Sequence, residues 1–288
     1  MRRVIVLGVV AAVIVTGCTS DAPPEPRVAE VSVEDVGQFE FPLNRYLDVG
    51  GPDSDVVARA YQVLFADCMS RFGFTVEPPP AGSSTVEPRS RRYGLVDLDE
   101  ARQYGYRHPL AAEDSQGGEP AQPRSEAYYA VATGELTHDH NGLAIPEGGC
   151  FGEAQRILDE GAPVVENVMF GQSLVIQAGR RSEQDSRVVA AFEAWSECMA
   201  RAGYNYADPW EANDDPAFGG PVVTSAEIAV ATADVTCKEE VNLVNIWAAV
   251  EVAYQEQIIE ENAEALGELL ELLETRRRNA AAIVAAHG

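Results

Sequence analysis

The sequence predicts a mainly α-helical protein. It reads as two related disulfide-clipped helical units, with a loop-rich insertion in the first and a long C-terminal helix. Three observations predict this. First, a segment recurs without gaps at a fixed offset of 130 residues (198 minus 68). Asp55, Ala60, Cys68, Met69, Arg71 and Gly73 match Asp185, Ala190, Cys198, Met199, Arg201 and Gly203, and Phe65 and Phe74 stand opposite Trp195 and Tyr204, the mark of a duplicated unit. Second, four cysteines follow Cys18, at positions 68, 150, 198 and 237. Third, apolar residues recur at three-or-four spacing from about 225 to 285, including Leu243, Trp247, Val250, Tyr254, Ile258, Leu269 and Leu273, with glutamates between them, as on an amphipathic helix.

The amino-terminal segment comes first in chain order. Met1-Arg2-Arg3 is positive, Val4 to Val15 is an apolar run, and Val15-Thr16-Gly17-Cys18 precedes polar Thr19-Ser20-Asp21. The run is about a dozen residues, whereas a spanning helix needs about 20, and its flanks fit an export signal. The tetrad at 15–18 resembles the lipobox of bacterial lipoproteins, and all four positions match. The resemblance implies cleavage before Cys18 and acylation of that cysteine with diacylglycerol and palmitate. It also implies residence on the extracytoplasmic face of the cell membrane, with membrane affinity of about 0.8 kcal/mol per buried CH₂. An uncleaved anchor helix with Cys18 incidental is the alternative. From Cys18 to residue 50 the chain, opening with Ala22-Pro-Pro-Glu-Pro26, reads as a flexible tether. About 20 residues of such chain would typically extend about 25 Å.

Residues 51–160 then form the first unit and 161–288 the second. In each copy of the repeat Ser or Asp is placed to cap a helix (Ser54 or Asp55; Ser182 or Asp185). Gly73 and Gly203 are placed as the left-handed residue past its end. Phe65 and Cys68, like Trp195 and Cys198, are three apart and share a face. Each copy is followed by a second cysteine. Cys150 opens an amphipathic stretch to Leu158, and Cys237 lies in a helical stretch opened by Thr224-Ser-Ala-Glu227, a capping box. Four cysteines in an exported chain allow three pairings. One bond per unit, Cys68–Cys150 and Cys198–Cys237, is the simplest. No Cys-x-x-Cys redox motif is present. The Cys-Met-x-Arg-x-Gly-aromatic motif, Gly149-Cys-Phe-Gly-Glu-Ala154 and Cys237-Lys-Glu-Glu-Val-Asn-Leu resemble secreted lipoproteins of high-GC Gram-positive bacteria whose activity is uncharacterised. This resemblance implies a class and no mechanism.

The rest is punctuation and surface. The first unit's insertion carries Pro78-Pro-Pro80, Arg89-Ser-Arg-Arg92 and Gly117-Gly-Glu-Pro120 and reads as short helices in a loop-rich cap. The second unit has only an acidic loop, Glu211-Ala-Asn-Asp-Asp-Pro216. The carboxyl-terminal helix either packs on its own domain or protrudes as an arm. Its part beyond Glu260 is the candidate partner-binding arm.

The balance of 21 basic against 46 acidic residues gives −25, and loss of Arg2 and Arg3 would make it 19 minus 46, or −27. Such a surface repels nucleic acid, so no nucleic-acid partner is expected, whereas a basic partner or diffuse cation binding fits. His138-Asp139-His140 is the one histidine cluster. It lacks a third ligand at zinc spacing and reads as a surface loop. P-loop, dinucleotide, Gly-x-Ser-x-Gly and His-Glu-x-x-His motifs are absent. No catalytic or metal-binding residue is therefore assigned, and no cofactor is expected. The expected function is a lipid-anchored, non-enzymatic binding or scaffolding lipoprotein of the cell envelope. The alternative is an envelope hydrolase with its site in the insertion at 78–149.

Overall fold

A computed structural model describes residues 24–48, 54–77, 91–109, 124–220 and 222–287. Cys18 and the export segment lie outside the described residues, as do 78–90 and 110–123 of the insertion. In chain order the helices are α1 (Ser54–Arg71), α2 (Leu98–Tyr104), α3 (Glu126–Thr133), α4 (Gly149–Leu158) and α5 (Phe170–Glu183). They continue with α6 (Ser186–Arg201), α7 (Pro209–Asn213), α8 (Ser225–Glu240), α9 (Leu243–Glu261) and α10 (Ala263–His287), and 3-10 turns lie at Pro42–Tyr46 and Pro216–Phe218. The protein is mainly helical, and pairing between extended segments among the described residues is limited to two isolated bridges.

The repeat is visible in the backbone. Gly73 and Gly203 take φ of +81° and +93°, a region costly for residues with a Cβ. In each copy the glycine amide donates three residues back, to Ser70 O or Ala200 O at 3.0 and 3.1 Å. The next amide donates five back, Phe74 to Met69 O and Tyr204 to Met199 O at 3.2 and 2.9 Å. That pair of bonds closes each helix in a Schellman turn. Cys68 is bonded to Cys150 and Cys198 to Cys237, with Cα separations of 5.5 and 5.6 Å. The duplication extends to an ion pair. Arg71 meets Glu153 and Arg201 meets Glu240, each glutamate lying three residues after its unit's second cysteine. This explains the repeated arginine: beside each disulfide it bridges the same two helices.

The units are not segregated along the chain as 51–160 and 161–288. The insertion segment 91–109 leaves the first unit and packs on the second. Leu95 and Ala101 are buried with Ala231 and Val235 of α8, and Tyr93 packs against Trp247 of α9 at 4.9 Å between centroids. In return α10 packs on the first unit, where Ala280 is buried with Ala60 of α1 and Leu158 of α4. Each unit is completed by a segment from the other's half of the sequence.

The C-terminal helical pattern holds, but as three helices. The chain breaks at Asn242, the only residue other than glycine with positive φ among those described (+56°), a conformation asparagine tolerates. It breaks again at Asn262, whose side chain donates to Ile258 O at 2.8 Å. The arm beyond Glu260 is corrected. Leu266, Leu269, Leu272 and Leu273 are at most 3 % exposed and pack with Leu43, Leu174 and Ile258. The apolar stripe is used inside the protein, so this face of the helix offers no partner surface. Gly267 sits within α10 without interrupting it.

The tether at 18–50 is also corrected over its described part. Residues 24–48 lie along the body as a strap, with Val36, Phe41, Leu43 and Leu47 buried. Its apolar residues alternate with charges, which resembles solvated chain in composition yet suits an extended segment with one face on a core. The acidic loop of the second unit begins inside helix α7, whose first residue is Pro209 and whose N-cap Asp208 accepts from Glu211 N. This proline starts a helix, as its fixed φ permits.

Candidate functional site

The strap, α2, α8 and the start of α9 enclose a cleft of about 900 Å³. Its apolar lining comes from Val33, Val36, Val96, Val235 and Val244. Five carboxylates line it, Glu34, Asp35, Asp97, Glu100 and Glu239, against two cations, Arg91 and Lys238. Both cations are engaged by the protein itself. Arg91 Nη2 donates to Glu100 at 2.9 Å and to Arg107 O at 3.1 Å. Lys238, the sole lysine of the sequence, donates to Leu95 O at 2.8 Å and Asp234 Oδ2 at 3.1 Å. Asp97 caps α2, accepting from the amides of Asp99 and Glu100 at 2.8 Å. Asp35 accepts from Gly37 N and Gln38 Nε2, which shapes the turn of the strap. Glu34 and Glu239 stand exposed at the rim. The cleft thus presents an excess of negative charge around an apolar floor.

Behind this wall lies a group of charges that sequence reasoning did not find. Asp234 and Lys238 have side chains 0 % and 2 % exposed, and Trp195 Nε1 donates to Asp234 Oδ1 at 3.0 Å. Burial pushes each toward its neutral form: the Lys238 ammonium is held below its usual range and the Asp234 carboxyl above its own. Their mutual attraction opposes both shifts. The Tyr106 hydroxyl lies close enough to Asp234 to feel its charge. Burial first, and that charge second, push its pKa up.

Glu227, 1 % exposed, forms only half of the expected capping box. Thr224 Oγ1 accepts from Glu227 N at 3.1 Å, but the glutamate side chain turns away to accept from Tyr106 N at 3.3 Å and to face Arg107. Gly105 permits that approach: at φ +60°, a Cβ there would stand 2.8 Å from Glu227 Oε1. One layer deeper, Glu251 is 2 % exposed and gathers the Arg92 guanidinium, the Tyr93 hydroxyl (2.7 Å) and Gln255 Nε2 (3.0 Å). Gln255 Oε1 in turn accepts from Leu43 N of the strap at 3.0 Å. These are bracing interactions. They fix the insertion and the strap against α8 and α9, and so hold the cleft walls apart.

The other sequence candidates lie elsewhere. The four disulfide cysteines are buried in the two unit cores and are not among the residues that line the cleft. His138, Asp139 and His140 sit on a tight turn, where Asp139 Oδ1 accepts from the amides of Asn141 and Leu143 at 2.9 and 2.7 Å. They line a separate apolar pocket of about 220 Å³ with Phe72, Phe74 and Ile145. Among the described residues no group of three or more His, Cys, Asp or Glu is arranged to hold a metal ion. Nor is any helix among them long and apolar enough to cross a membrane. No known protein family, curated protein or solved structure matches this chain.

Proposed function

We propose that this is a non-enzymatic binding lipoprotein of the cell envelope, held on the extracytoplasmic face of the membrane by lipid on Cys18, whose cleft takes a cationic ligand. The observation that carries the ligand class is the cleft lining. Five carboxylates and five valines line the cleft; Arg91 is paired with one of those carboxylates, Glu100, and Lys238 with Asp234 behind the wall, which leaves the lining with an excess of negative charge. A basic peptide segment offers both of the required features, positive heads and apolar stems. The chain's net charge of −25 would speed its capture by steering. The anchor rests on the lipobox resemblance at 15–18.

Two measurements test this. Titration calorimetry should show tetra-arginine binding to the full-length protein, weakening as salt rises, and no binding of tetra-glutamate. Replacing both rim carboxylates, Glu34→Gln with Glu239→Gln, should weaken tetra-arginine about tenfold, since two exposed contacts of ~0.7 kcal/mol each sum to a factor of ten. Unchanged affinity in that variant would remove the cleft from the account. For the anchor, Cys18→Ala should shift the protein out of the detergent-extracted membrane fraction, and unchanged partitioning would defeat the lipoprotein reading.

The second reading is an envelope hydrolase with a site at 78–149. It finds support in the apolar pocket edged by His138 and His140, where His138 Nδ1 lies 3.1 Å from Thr137 Oγ1. Ester hydrolysis that disappears in His138→Ala would favour it over binding.

A further inference from the structure

The strap fixes where an anchored protein is held, and this deepens the binding reading above, on whose lipid anchor it rests. Among the described residues the strap is first secured at Glu25, whose carboxylate accepts from Ser186 N and Ser186 Oγ, both at 2.8 Å, at the start of α6. Arg187 Nη1 adds a bond to Pro26 O at 3.0 Å. This is also the level of Tyr254 on α9, whose hydroxyl donates to Asp185 Oδ2 at 3.2 Å. From there the strap runs out to Val33, whose amide donates to Asn245 Oδ1 at 2.8 Å. It turns through residues 34–38 at the cleft, then returns to Leu43, bonded to Gln255. Asn245 and Tyr254 are nine residues apart on α9, which is about 14 Å along a helix. The turn that carries the cleft therefore stands about 14 Å along the body from the point where the chain departs for Cys18.

The connection is short. Seven residue steps separate Cys18 from Glu25, and these span at most about 25 Å whatever their conformation. A body of this size is about 45 Å across. The end that carries Ser186 is thus kept within about 25 Å of the bilayer. Turning the cleft onto the membrane would use about 14 Å of that reach in running back along the body. It would also press the cleft's carboxylates against anionic headgroups.

We infer that the cleft is presented away from the membrane and that its cationic ligand comes from the solution beyond, as a soluble basic peptide segment, and not from a cationic lipid headgroup in the same bilayer. The test uses the full-length lipidated protein in liposomes carrying an acceptor dye on the headgroups. Donor dyes go on Val189→Cys, an exposed position in the first turn of α6, and separately on Glu34→Cys at the cleft rim. Energy transfer should be stronger from position 189 than from 34, corresponding to a donor-to-surface distance about 14 Å shorter. Equal transfer, or the reverse order, overturns the orientation. Cys18→Ala should abolish transfer from both positions, and its persistence would mean that the protein is held some other way.

The source of the ligand is read separately. At 150 mM salt the anchored protein should bind added tetra-arginine within twofold of its affinity in detergent, whether or not the bilayer contains a cationic lipid. A tenfold loss on adding that lipid would place the headgroup in the cleft and refute the inference. Correct transfer order without any tetra-arginine binding would sink the cationic-ligand reading and leave the orientation standing.

Discussion

Replacing Lys238 by methionine tests whether the wall of the cleft is held by a buried ion pair. Methionine follows much the same path and removes the charge together with the bonds to Asp234 and Leu95 O. Asp234, with its side chain fully buried, would keep Trp195 as a donor and lose its cation. Removing one partner of such a pair costs about 3–5 kcal/mol, a large part of the 5–15 kcal/mol typical of a folded protein. The repeated surface pair Arg71–Glu153, 51 % and 24 % exposed, sets the contrast at under about 1 kcal/mol. The loss should depend on pH. Without Lys238, Asp234 escapes as the neutral acid, so its folded pKa stands above its unfolded value of about 3.9. A raised folded pKa makes that contribution complete below about pH 3.9 and lost as pH climbs through the folded value, at up to about 1.4 kcal/mol per pH unit. The wild-type Asp234 carboxyl is itself raised, so the deficit should widen only once pH passes the wild-type folded value, where Asp234 ionises beside Lys238 but not beside methionine. Urea unfolding of the oxidised protein at several pH values, followed by tryptophan fluorescence, measures it. Lys238→Met combined with Asp234→Asn should recover most of the loss. A single variant within 1 kcal/mol of wild type at pH 7, or a double variant no better than the single, would refute the reasoning.

Three further outcomes are expected. Leu269→Ala removes a fully buried side chain of α10 and should cost about 2–5 kcal/mol in the same unfolding assay; a loss below 1 kcal/mol would return α10 to the status of an arm. Converting Cys198 and Cys237 to serine opens a loop of separation 39 and should cost about 4 kcal/mol, with about 4.5 kcal/mol for the Cys68–Cys150 pair at separation 82; thermal melts under matched conditions rank the two. His287, whose imidazolium is held above its usual range by Ile283 O and then by Asp67 on α1, should clasp the end of α10 fully below about pH 6.5 and release it as pH rises through the raised value. Intrinsic-rate-corrected amide exchange of the last turn should then be faster at pH 8 than at pH 6, and a flat profile would count against the clasp.

The repeat was legible because cysteine, glycine and the aromatic residues each have one local job, and those jobs recur at one offset. The pairing and the left-handed closures at Gly73 and Gly203 follow from that local grammar. Helix α5 was not read because its buried face is carried by Gly171, Leu174, Ala178 and Ser182, too small and mixed for an apolar stripe. The cleft wall was hidden for a different reason. Lys238, Glu227 and Asp234 look like solvent-facing charges on α8, since buried charges are rare without a partner, and their partners Leu95, Tyr106 and Trp195 are 143, 121 and 39 residues away in sequence. Packing preference along one helix carries no signal for a partner that distant. The strap failed for a related reason: its valines meet a core assembled from helices far downstream.

The exchange of segments between the two halves has a consequence for how the chain acquires its structure. Cys68 and Cys150 can meet as soon as residue 150 is available, yet the apolar face of α1 around Ala60, partly covered by Leu158, is complete only when Ala280 arrives, 220 residues after it. The first unit made is therefore the last to be finished. A chain that emerges in sequence order would pass through a stage in which its first bond is closed while a flank of that unit stays bare. Contacts this distant slow folding, and a bare apolar flank invites association with other chains. Early closure of Cys68–Cys150 would shorten the search by fixing α1 against α4, so the rate of that oxidation would govern the speed of assembly as well as its final stability.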